Sequence, residues 1–225
     1  MTNSIIIANG RTPGKGIVNY FFRQGFTRVI CADGGANSAR RINVLPDLII
    51  GDLDSISKEN LEYFSDKSEI IRMKGQDDTD VEKCLKFLIK RKCKACALLG
   101  VIGDRLDHSF GNLAIAKRYS DFIDICVAAE KSFLTIHKGK TEFATVPGEM
   151  VSLYGFDSKT KITSEGLKYK IWNEAIQFTL KESTSNQATS DIVKLNIKGG
   201  KIFVIRELKT IIKLSRKTMF AIEIN

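Results

Sequence analysis

The sequence lacks the features of a membrane-spanning or exported protein. Its 225 residues contain no apolar run approaching the roughly 18 residues that a membrane helix needs. The first ten residues, MTNSIIIANG, have neither the basic start nor the long apolar core of a signal peptide. We therefore expect a cytoplasmic protein with no membrane partner.

The sequence also lacks the motifs of several common enzyme classes. It contains no GxGxxG fingerprint, no GxxxxGK[ST] phosphate loop and no GxSxG nucleophile turn. Its five cysteines are an odd number, and Cys93 and Cys96 form a single CxxC pair. Because a structural zinc site usually takes about four ligands, reduced thiols are the favoured interpretation. The absence of the three motifs disfavours dinucleotide binding, P-loop phosphate binding and catalysis by a serine nucleophile.

The net charge of +9 is large enough to raise the question of a nucleic acid partner. The positive charge is spread along the chain, however. The dense basic run KRKCK (90–94) follows a helical pattern, where it would solvate a helix end. We expect no nucleic acid partner. A basic RNA- or nucleotide-binding module is kept as the non-catalytic alternative, for which salt-dependent oligonucleotide binding is the test.

The order of the predicted elements indicates an α/β domain followed by an all-β domain. Residues 1–139 alternate short apolar strands with helical patterns, which is typical of a parallel sheet built from βαβ units. Residues 140–225 contain short alternating runs with frequent turn residues and predict a smaller antiparallel domain. Within it, Gly199-Gly200 lies between two such runs and predicts a β-hairpin.

Acidic residues follow at least four of the predicted strands, at the point where each strand ends. The stretch GDLDSIS (51–57), for example, comes directly after the buried run DLII (47–50). Ligands of open α/β sheets bind at this edge of the sheet. The acids that we expect there are Asp33, Asp52, Asp54, Asp77, Asp78, Asp80, Asp104 and Asp107.

Each of these acids taken alone has an ordinary explanation as a turn residue or a helix cap. Thr79 and Glu82, for instance, match a capping box at the start of a predicted helix. Four acidic loops at one edge are harder to explain in this way, because carboxylates brought together repel. A hard divalent cation such as Mg²⁺ would neutralise them through oxygen ligands, and it usually accompanies substrate phosphates.

Three further features are candidates for contacting the phosphate groups of a substrate at such a site. The loop NGRTPGKG (9–16), which begins at Asn9, follows a strand and opens a helix, so its N–H groups could hold phosphate. Arg105 could contact phosphate or pair with a neighbouring acid. His108 could serve acid–base chemistry or pack at a helix start. The chemistry indicated is metal-assisted phosphoryl or pyrophosphoryl transfer.

Six segments, in this order along the chain, resemble the successive motifs of thiamine pyrophosphokinases. They are CADGGAN (31–37), PDLIIGDLDSI (46–56), QDDTDVEKCL (76–85), LGVIGDRLDHSFGNL (99–113), SEGLKYKI (164–171) and STSNQ (183–187). The resemblance implies a C-terminal β-sandwich, a homodimer, and a site between subunits. It implies transfer of pyrophosphate from ATP to the hydroxyl of thiamine, with Mg²⁺, to give thiamine diphosphate and AMP.

The resemblance also implies roles for particular residues. Residues 1–139 would form the catalytic domain that binds nucleotide and metal, and residues 140–225 would bind thiamine. The implied metal ligands are Asp33, Asp52, Asp54 and Asp80, and either Asp54 or Asp80 would be the general base. The implied substrate and nucleotide residues are Asn9, Asp33, Gln76, Asp77, Arg105, Asp107, His108, Ser183, Ser185 and Asn186.

Two positions depart from the family pattern. Asp104 stands where glycine is frequent, although Asp tolerates left-handed backbone better than most residues. Tyr169 stands where some members carry tryptophan.

A Mg²⁺-dependent phosphohydrolase, which would release phosphate without an acceptor, is the alternative enzyme consistent with the same carboxylates.

Overall fold

The computed structural model describes residues 3–75, 77–214 and 222–223, and two compact units divide the chain. The first unit is Met1–Glu130 and the second is Lys131–Asn225. The boundary predicted between residues 139 and 140 falls inside a strand of the second unit, Ser132–Ala144. The sequence does not mark this division because the last strand of one unit and the first of the next are both apolar runs.

The first unit contains a six-stranded sheet in which every neighbouring pair is parallel. The spatial order is β6-β5-β1-β2-β3-β4. The strands are β1 (Asn3–Ile7), β2 (Phe26–Ala32), β3 (Leu48–Gly51), β4 (Glu69–Arg72), β5 (Ala95–Leu99) and β6 (Asp124–Ala128). The parallel α/β domain predicted from the alternating pattern is confirmed.

Five helices connect these strands. They are α1 (Lys15–Arg23), α2 (Gly35–Arg41), α3 (Lys58–Phe64), α4 (Asp80–Lys90) and α5 (Leu106–Tyr119). In α4, Val81, Cys84, Leu85 and Leu88 form a buried apolar face, and the Thr79 hydroxyl caps the helix by accepting from the Glu82 N–H, as the capping-box pattern predicts. None of the described helices is long and apolar enough to cross a membrane.

The core of the first unit contains its strands and the buried faces of its helices, and it encloses the cysteines. Ile5, Ile6 and Ile7 of β1 are fully buried, as expected for a central parallel strand covered on both faces. All five cysteines are buried, and none of them forms a disulfide. Burial raises the pKa of the Cys31 and Cys126 thiols, which keeps both protonated and unreactive.

The second unit is antiparallel and has the strand arrangement of a β-sandwich. Two long strands, β7 (Ser132–Ala144) and β11 (Ile192–Glu207), pair along their length. The first half of β11 also pairs with β9 (Lys161–Glu165), and its second half pairs with β8 (Met150–Tyr154), which in turn pairs with β10 (Ser183–Gln187). Side chains from all these strands except β10 form one buried cluster.

The final segment forms α6 (Leu208–Leu214) and the short strand β12 (Ile222–Glu223), which pairs with β7. In α6, Leu208, Thr210 and Ile211 are buried.

The hairpin predicted at Gly199-Gly200 is wrong, because both glycines lie within β11. The register of β11 against β7 shifts between Ile197 and Ile202, so the glycines form an irregularity in a continuous strand. Gly199 has φ of +86°, and a Cβ there would lie 2.6 Å from the carbonyl oxygen of Lys159. The glycines are therefore required by backbone conformation and close approach, which give the same sequence signal as a tight turn.

A buried histidine makes the stability of the second unit dependent on pH. His137 in β7 has Nε2 2.6 Å from Thr135 Oγ1 and Nδ1 3.3 Å from Thr141 Oγ1. Burial, with the positive charge of Arg206, lowers the pKa of His137 from 6.5 to about 4. The unfolded chain takes up this proton first, so stability is complete above about pH 6.5 and falls as the pH decreases to about 4.

We expect acidification across this range to cost the wild type ~3 kcal/mol of unfolding free energy through His137 alone. The measurement is urea unfolding of wild type and His137→Gln at neutral pH and near pH 4.5. Glutamine retains a donor close to Thr135 but does not titrate. The free energy of the variant should therefore fall less than that of the wild type, and equal losses would contradict the assignment.

Candidate active site

Three carboxylates come together at the carboxyl edge of the parallel sheet. Asp33 follows β2, Asp52 follows β3, and Asp80 is the first residue of α4. Each offers an oxygen atom, and these atoms all lie within 4.8 Å of one another. The structure thus groups three of the four acids that the sequence predicts as metal ligands.

Asp33 organises the loop that carries two of the other acids. Its carboxylate accepts hydrogen bonds from the N–H groups of Asp54 (3.2 Å), Ser55 (3.2 Å) and Ile56 (3.0 Å). A Cβ on Gly51 would lie 2.6 Å from that of Asp33, so glycine lets the two strand ends approach. This contact explains why an apolar strand ends in glycine immediately before Asp52.

The carboxyls of Asp33 and Asp52 differ in their affinity for protons. Burial raises the pKa of Asp33, and the nearby charge of Asp80 raises it further. For Asp52, burial also acts to raise the pKa, but the Asp54 N–H, the hydrogen bond shared with Asp33 and the charge of Lys83 outweigh it and lower the pKa. Asp33 therefore binds a proton more readily than Asp52 does.

Lys83 is a site residue that sequence analysis missed. It lies one turn after Asp80 in α4, and its ammonium is 2.8 Å from Asp80 Oδ1. Only 6% of its side chain is exposed. Burial alone would lower the pKa of Lys83, but the bond to Asp80 and the charges of Asp52 and Asp33 raise it overall. The i, i+3 spacing from Asp80 is the signal that could have identified it.

Asp54 lies outside the group of three carboxylates. Its side chain is exposed, and Oδ1 accepts a 2.9 Å hydrogen bond from the Ser55 hydroxyl. Its backbone N–H, in contrast, bonds to both Asp33 and Asp52. The side chain of residue 54 is therefore not needed to hold the loop in place.

A cleft of about 830 Å³ in the first unit is lined by the acidic edge and by basic residues. Asp52, Asp80 and Lys83 line it, as do the ion pairs Arg11–Asp104 and Arg105–Asp107. His108, also lining it, is 63% exposed at the start of α5. The ion-pair alternative for Arg105 is thus observed, and its hydrogen bond lowers the pKa of Asp107.

Two N–H groups of the proposed phosphate loop after β1 are committed to backbone bonding. The Gly10 N–H donates to the Gly100 carbonyl (2.7 Å), and the Arg11 N–H donates to the Ile102 carbonyl (2.9 Å). These two N–H groups are not available to phosphate, which corrects the expectation for this part of the loop. The reason is topological, since β1 and β5 are neighbours and the loops that follow them pair. The exposed Asn9 side chain still lines the cleft.

The residues of the acidic stretch before α4 (76–78) differ in whether they line the cleft. Asp78 lines the cleft and pairs with Lys86 at 2.5 Å. Asp77 is exposed and is not among the residues that line the cleft. Gln76, a predicted substrate residue, lies outside the described residues.

In the second unit, the three predicted thiamine residues lie in β10. Asn186 is buried, and its amide bonds both the N–H (3.0 Å) and the carbonyl (2.8 Å) of Tyr169. Ser183 accepts a further bond from the same amide, while Ser185 is exposed. Asn186 therefore positions the exposed Tyr169, and Ser185 is the member of the three left open to a ligand.

The donor set of Asp33, Asp52 and Asp80 fits a hard divalent cation. All its ligand atoms are carboxylate oxygens, which Mg²⁺ and Ca²⁺ prefer, and no soft sulfur or imidazole ligand is part of the group. The adjacent cleft carries the side chains of Arg11, Arg41 and Arg105, which are suited to phosphate oxygens. The arrangement can bind a polyphosphate together with its metal ion.

Comparisons with known proteins point to a single family. The family model "Thiamin pyrophosphokinase, catalytic domain" matches residues 23–127, and "Thiamin pyrophosphokinase, substrate-binding domain" matches residues 132–204. Thiamine pyrophosphokinase 3 of Oryza sativa subsp. japonica is 30% identical over 186 residues, which are 70% of this chain and 69% of that protein. Thiamin pyrophosphokinase 1 of Caenorhabditis elegans is 25% identical, over 82% of this chain and 81% of that protein.

Solved structures support the same fold. Thiamin pyrophosphokinase from Candida albicans has a TM-score of 0.80 at 18% identity and covers 92% of this chain and 89% of its own. Thiamine pyrophosphokinase from Bacillus subtilis also has a TM-score of 0.80, at 19% identity, with 92% and 99% covered. These structures are similar to the present chain in both its α/β and its antiparallel parts.

Proposed function

This chain belongs to the thiamin pyrophosphokinase family, and we propose that it transfers pyrophosphate from ATP to the hydroxyl of thiamine, giving thiamine diphosphate and AMP. The observation that carries the proposal is the group of Asp33, Asp52 and Asp80 beside a cleft lined with basic side chains. Such a site suits a metal-bound triphosphate, because transfer depends chiefly on positioning and charge neutralisation.

The three grouped carboxylates are the proposed ligands of Mg²⁺. When bound, the ion would neutralise charge on the phosphates of ATP. Asn9, Arg11, Arg105 and His108 line the same cleft, and we propose that they contact phosphate or nucleotide, with Asp107 orienting Arg105 through their ion pair. ATP is thereby held with its β-phosphorus near the acidic edge.

Asp54 is the proposed general base. The hydroxyl of thiamine is a weak nucleophile, so a carboxylate that is not bound to metal must accept its proton as the bond to phosphorus forms. Asp80 is already paired with Lys83 and grouped with two other carboxylates. Asp54 is exposed beside that group, and its side chain accepts a hydrogen bond from the Ser55 hydroxyl.

An end-point assay tests the reaction. Purified protein is incubated with ATP, Mg²⁺ and thiamine, and with each omitted in turn, and the products are separated by chromatography. We expect AMP and thiamine diphosphate in equal amounts, only in the complete mixture. ADP or free phosphate formed without thiamine would favour a hydrolase. Salt-dependent oligonucleotide binding without any turnover would favour the non-catalytic alternative.

We further propose a homodimer in which each site combines the first unit of one subunit with the second unit of its partner. Ser183, Ser185 and Tyr169 would then face thiamine bound at the neighbouring subunit. The proposal rests on the family resemblance and on the exposure of Tyr169 and Ser185, with Tyr169 held in position by Asn186. The cytoplasmic location expected from the sequence stays a prediction.

Mixed dimers test the shared site. Asp54→Asn removes the base, and Ser185→Lys places an ammonium where the cationic thiazolium would bind. If each variant is inactive alone, unfolding and refolding them together should restore about a quarter of wild-type activity, because half of the dimers are mixed and each has one intact site of two. No recovery, in mixtures shown by sedimentation to be dimeric, would place both units of a site in one chain.

A further inference from the structure

Lys83 is an ammonium group buried among carboxylates, and the reaction as proposed gives it no role. Its side chain is 6% exposed, although lysine is rarely buried unless it is paired. Nζ lies 2.8 Å from Asp80 Oδ1, and Lys83 lines the same cleft as Asp52 and Asp80. The helix fixes this geometry, because residues three apart lie on one face.

The charge balance of the group depends on this lysine. Three carboxylates whose oxygens lie within 4.8 Å of one another repel strongly when no cation is bound. Lys83 is the cationic side chain in the described chain that forms an ion pair with a member of this group. Lys86, another lysine of α4, pairs instead with Asp78 and is half exposed.

We propose that Lys83 is a positioning residue that holds Asp80 against Asp52 and Asp33 in the metal-free protein and limits the net negative charge offered to a divalent cation. The inference rests on the proposed metal site. Lys83 thus has two opposing effects on the site. It stabilises the empty site, and it weakens binding of the incoming ion.

Replacing Lys83 should therefore lower the stability of the metal-free protein and raise its affinity for a divalent cation. In Lys83→Met the carboxylates lose their internal cation. The metal-free protein should melt at a lower temperature, and Mg²⁺ and Mn²⁺ should bind on the order of 10- to 100-fold more tightly, as the removal of one nearby unit charge implies. Turnover should nevertheless fall, because Asp80 is no longer held at its present position. Lys83→Arg should restore both stability and wild-type metal affinity.

The experiment is calorimetric titration of the metal-free full-length chain with Mg²⁺ and with Mn²⁺, alongside thermal unfolding with and without Mg²⁺. Lys86→Met is the matched control, since it removes an ion-paired lysine from the same helix, and its metal affinity should stay within about twofold of wild type. Lys83→Gln provides the same loss of charge with a donor retained, if the methionine variant is too unstable to purify.

Tighter metal binding together with lower metal-free stability would support the proposal. Unchanged or weaker binding in both neutral variants would overturn it, because a purely structural lysine would not increase affinity when removed. Failure of wild type to bind either metal ion would overturn this proposal together with the metal site. Because metal binding is measured without ATP or thiamine, a wild type that binds metal but lacks kinase activity would contradict only the proposed reaction.

Discussion

Asp54→Asn is expected to lower the turnover number by ~10²–10⁴-fold, which is the usual contribution of a general base. The loop should keep its shape, because the bonds of residue 54 to Asp33 and Asp52 come from its backbone N–H. Metal-dependent binding of ATP should also survive, since the three grouped carboxylates are unchanged. The measurement is steady-state kinetics with thiamine varied, together with a Mg²⁺ titration.

Two further variants distinguish a general base at Asp54 from a metal ligand or a structural residue. Asp80→Asn changes a member of the carboxylate group and the partner of Lys83, so it should lose Mg²⁺ affinity as well as turnover. Ser55→Ala removes the hydroxyl that donates to Asp54 and should change turnover by less than about tenfold. Full activity in Asp54→Asn would exclude the base assignment, and weakened Mg²⁺ binding in that variant would instead make Asp54 a metal ligand.

Arg206→Met is expected to lower the free energy of unfolding by about 3–5 kcal/mol, because it leaves a buried carboxylate without its partner. Arg206 and Glu149 are 4% and 1% exposed and form two hydrogen bonds of 2.8 Å. The guanidinium also donates to the Ala144 carbonyl (2.7 Å) and lies 4.8 Å from the centre of the Phe143 ring. Urea unfolding at neutral pH measures the loss.

The double variant Arg206→Met/Glu149→Leu should recover much of this loss, because apolar residues often replace a buried ion pair without net cost. The exposed pair Lys181–Glu174 is the matched control, with side chains 60% and 43% exposed. Lys181→Met should change stability by less than about 1 kcal/mol. If Arg206→Met costs no more than this control, the buried pair does not have the stabilising role assigned to it.

The parts of the fold that were predictable are those set by local patterns. The parallel sheet follows from short apolar runs alternating with helical periodicity, as in β3, β4 and α4. The grouping of Asp33 with Asp52 follows from the rule that parallel strands end at one edge. The other parts of the fold depend on contacts between residues that are distant in sequence. Glycines at 199 and 200 give the same signal for a hairpin as for the irregularity within β11 that the structure contains.

The site shows the same division between local and tertiary information. The charges of Asp52 and Asp33 act on Lys83 from positions that are distant in sequence, so the spacing of Lys83 from Asp80 alone did not identify it. Similarly, the N–H groups of Gly10 and Arg11 looked available to phosphate because their acceptors, Gly100 and Ile102, follow a strand that is only spatially adjacent. The family resemblance placed Asp54 with the metal ligands, yet its exposed carboxylate lies outside the group of three.

The most direct test of the account follows the phosphorus atom that is transferred. ATP labelled at its β-phosphorus is incubated with the purified chain, Mg²⁺ and thiamine, and the label and AMP are quantified together. The account predicts that the label is recovered in thiamine diphosphate, one for each AMP formed, and that no label leaves ATP when thiamine is omitted. Label recovered in ADP or in free phosphate, whether or not thiamine is present, would contradict pyrophosphoryl transfer at this site.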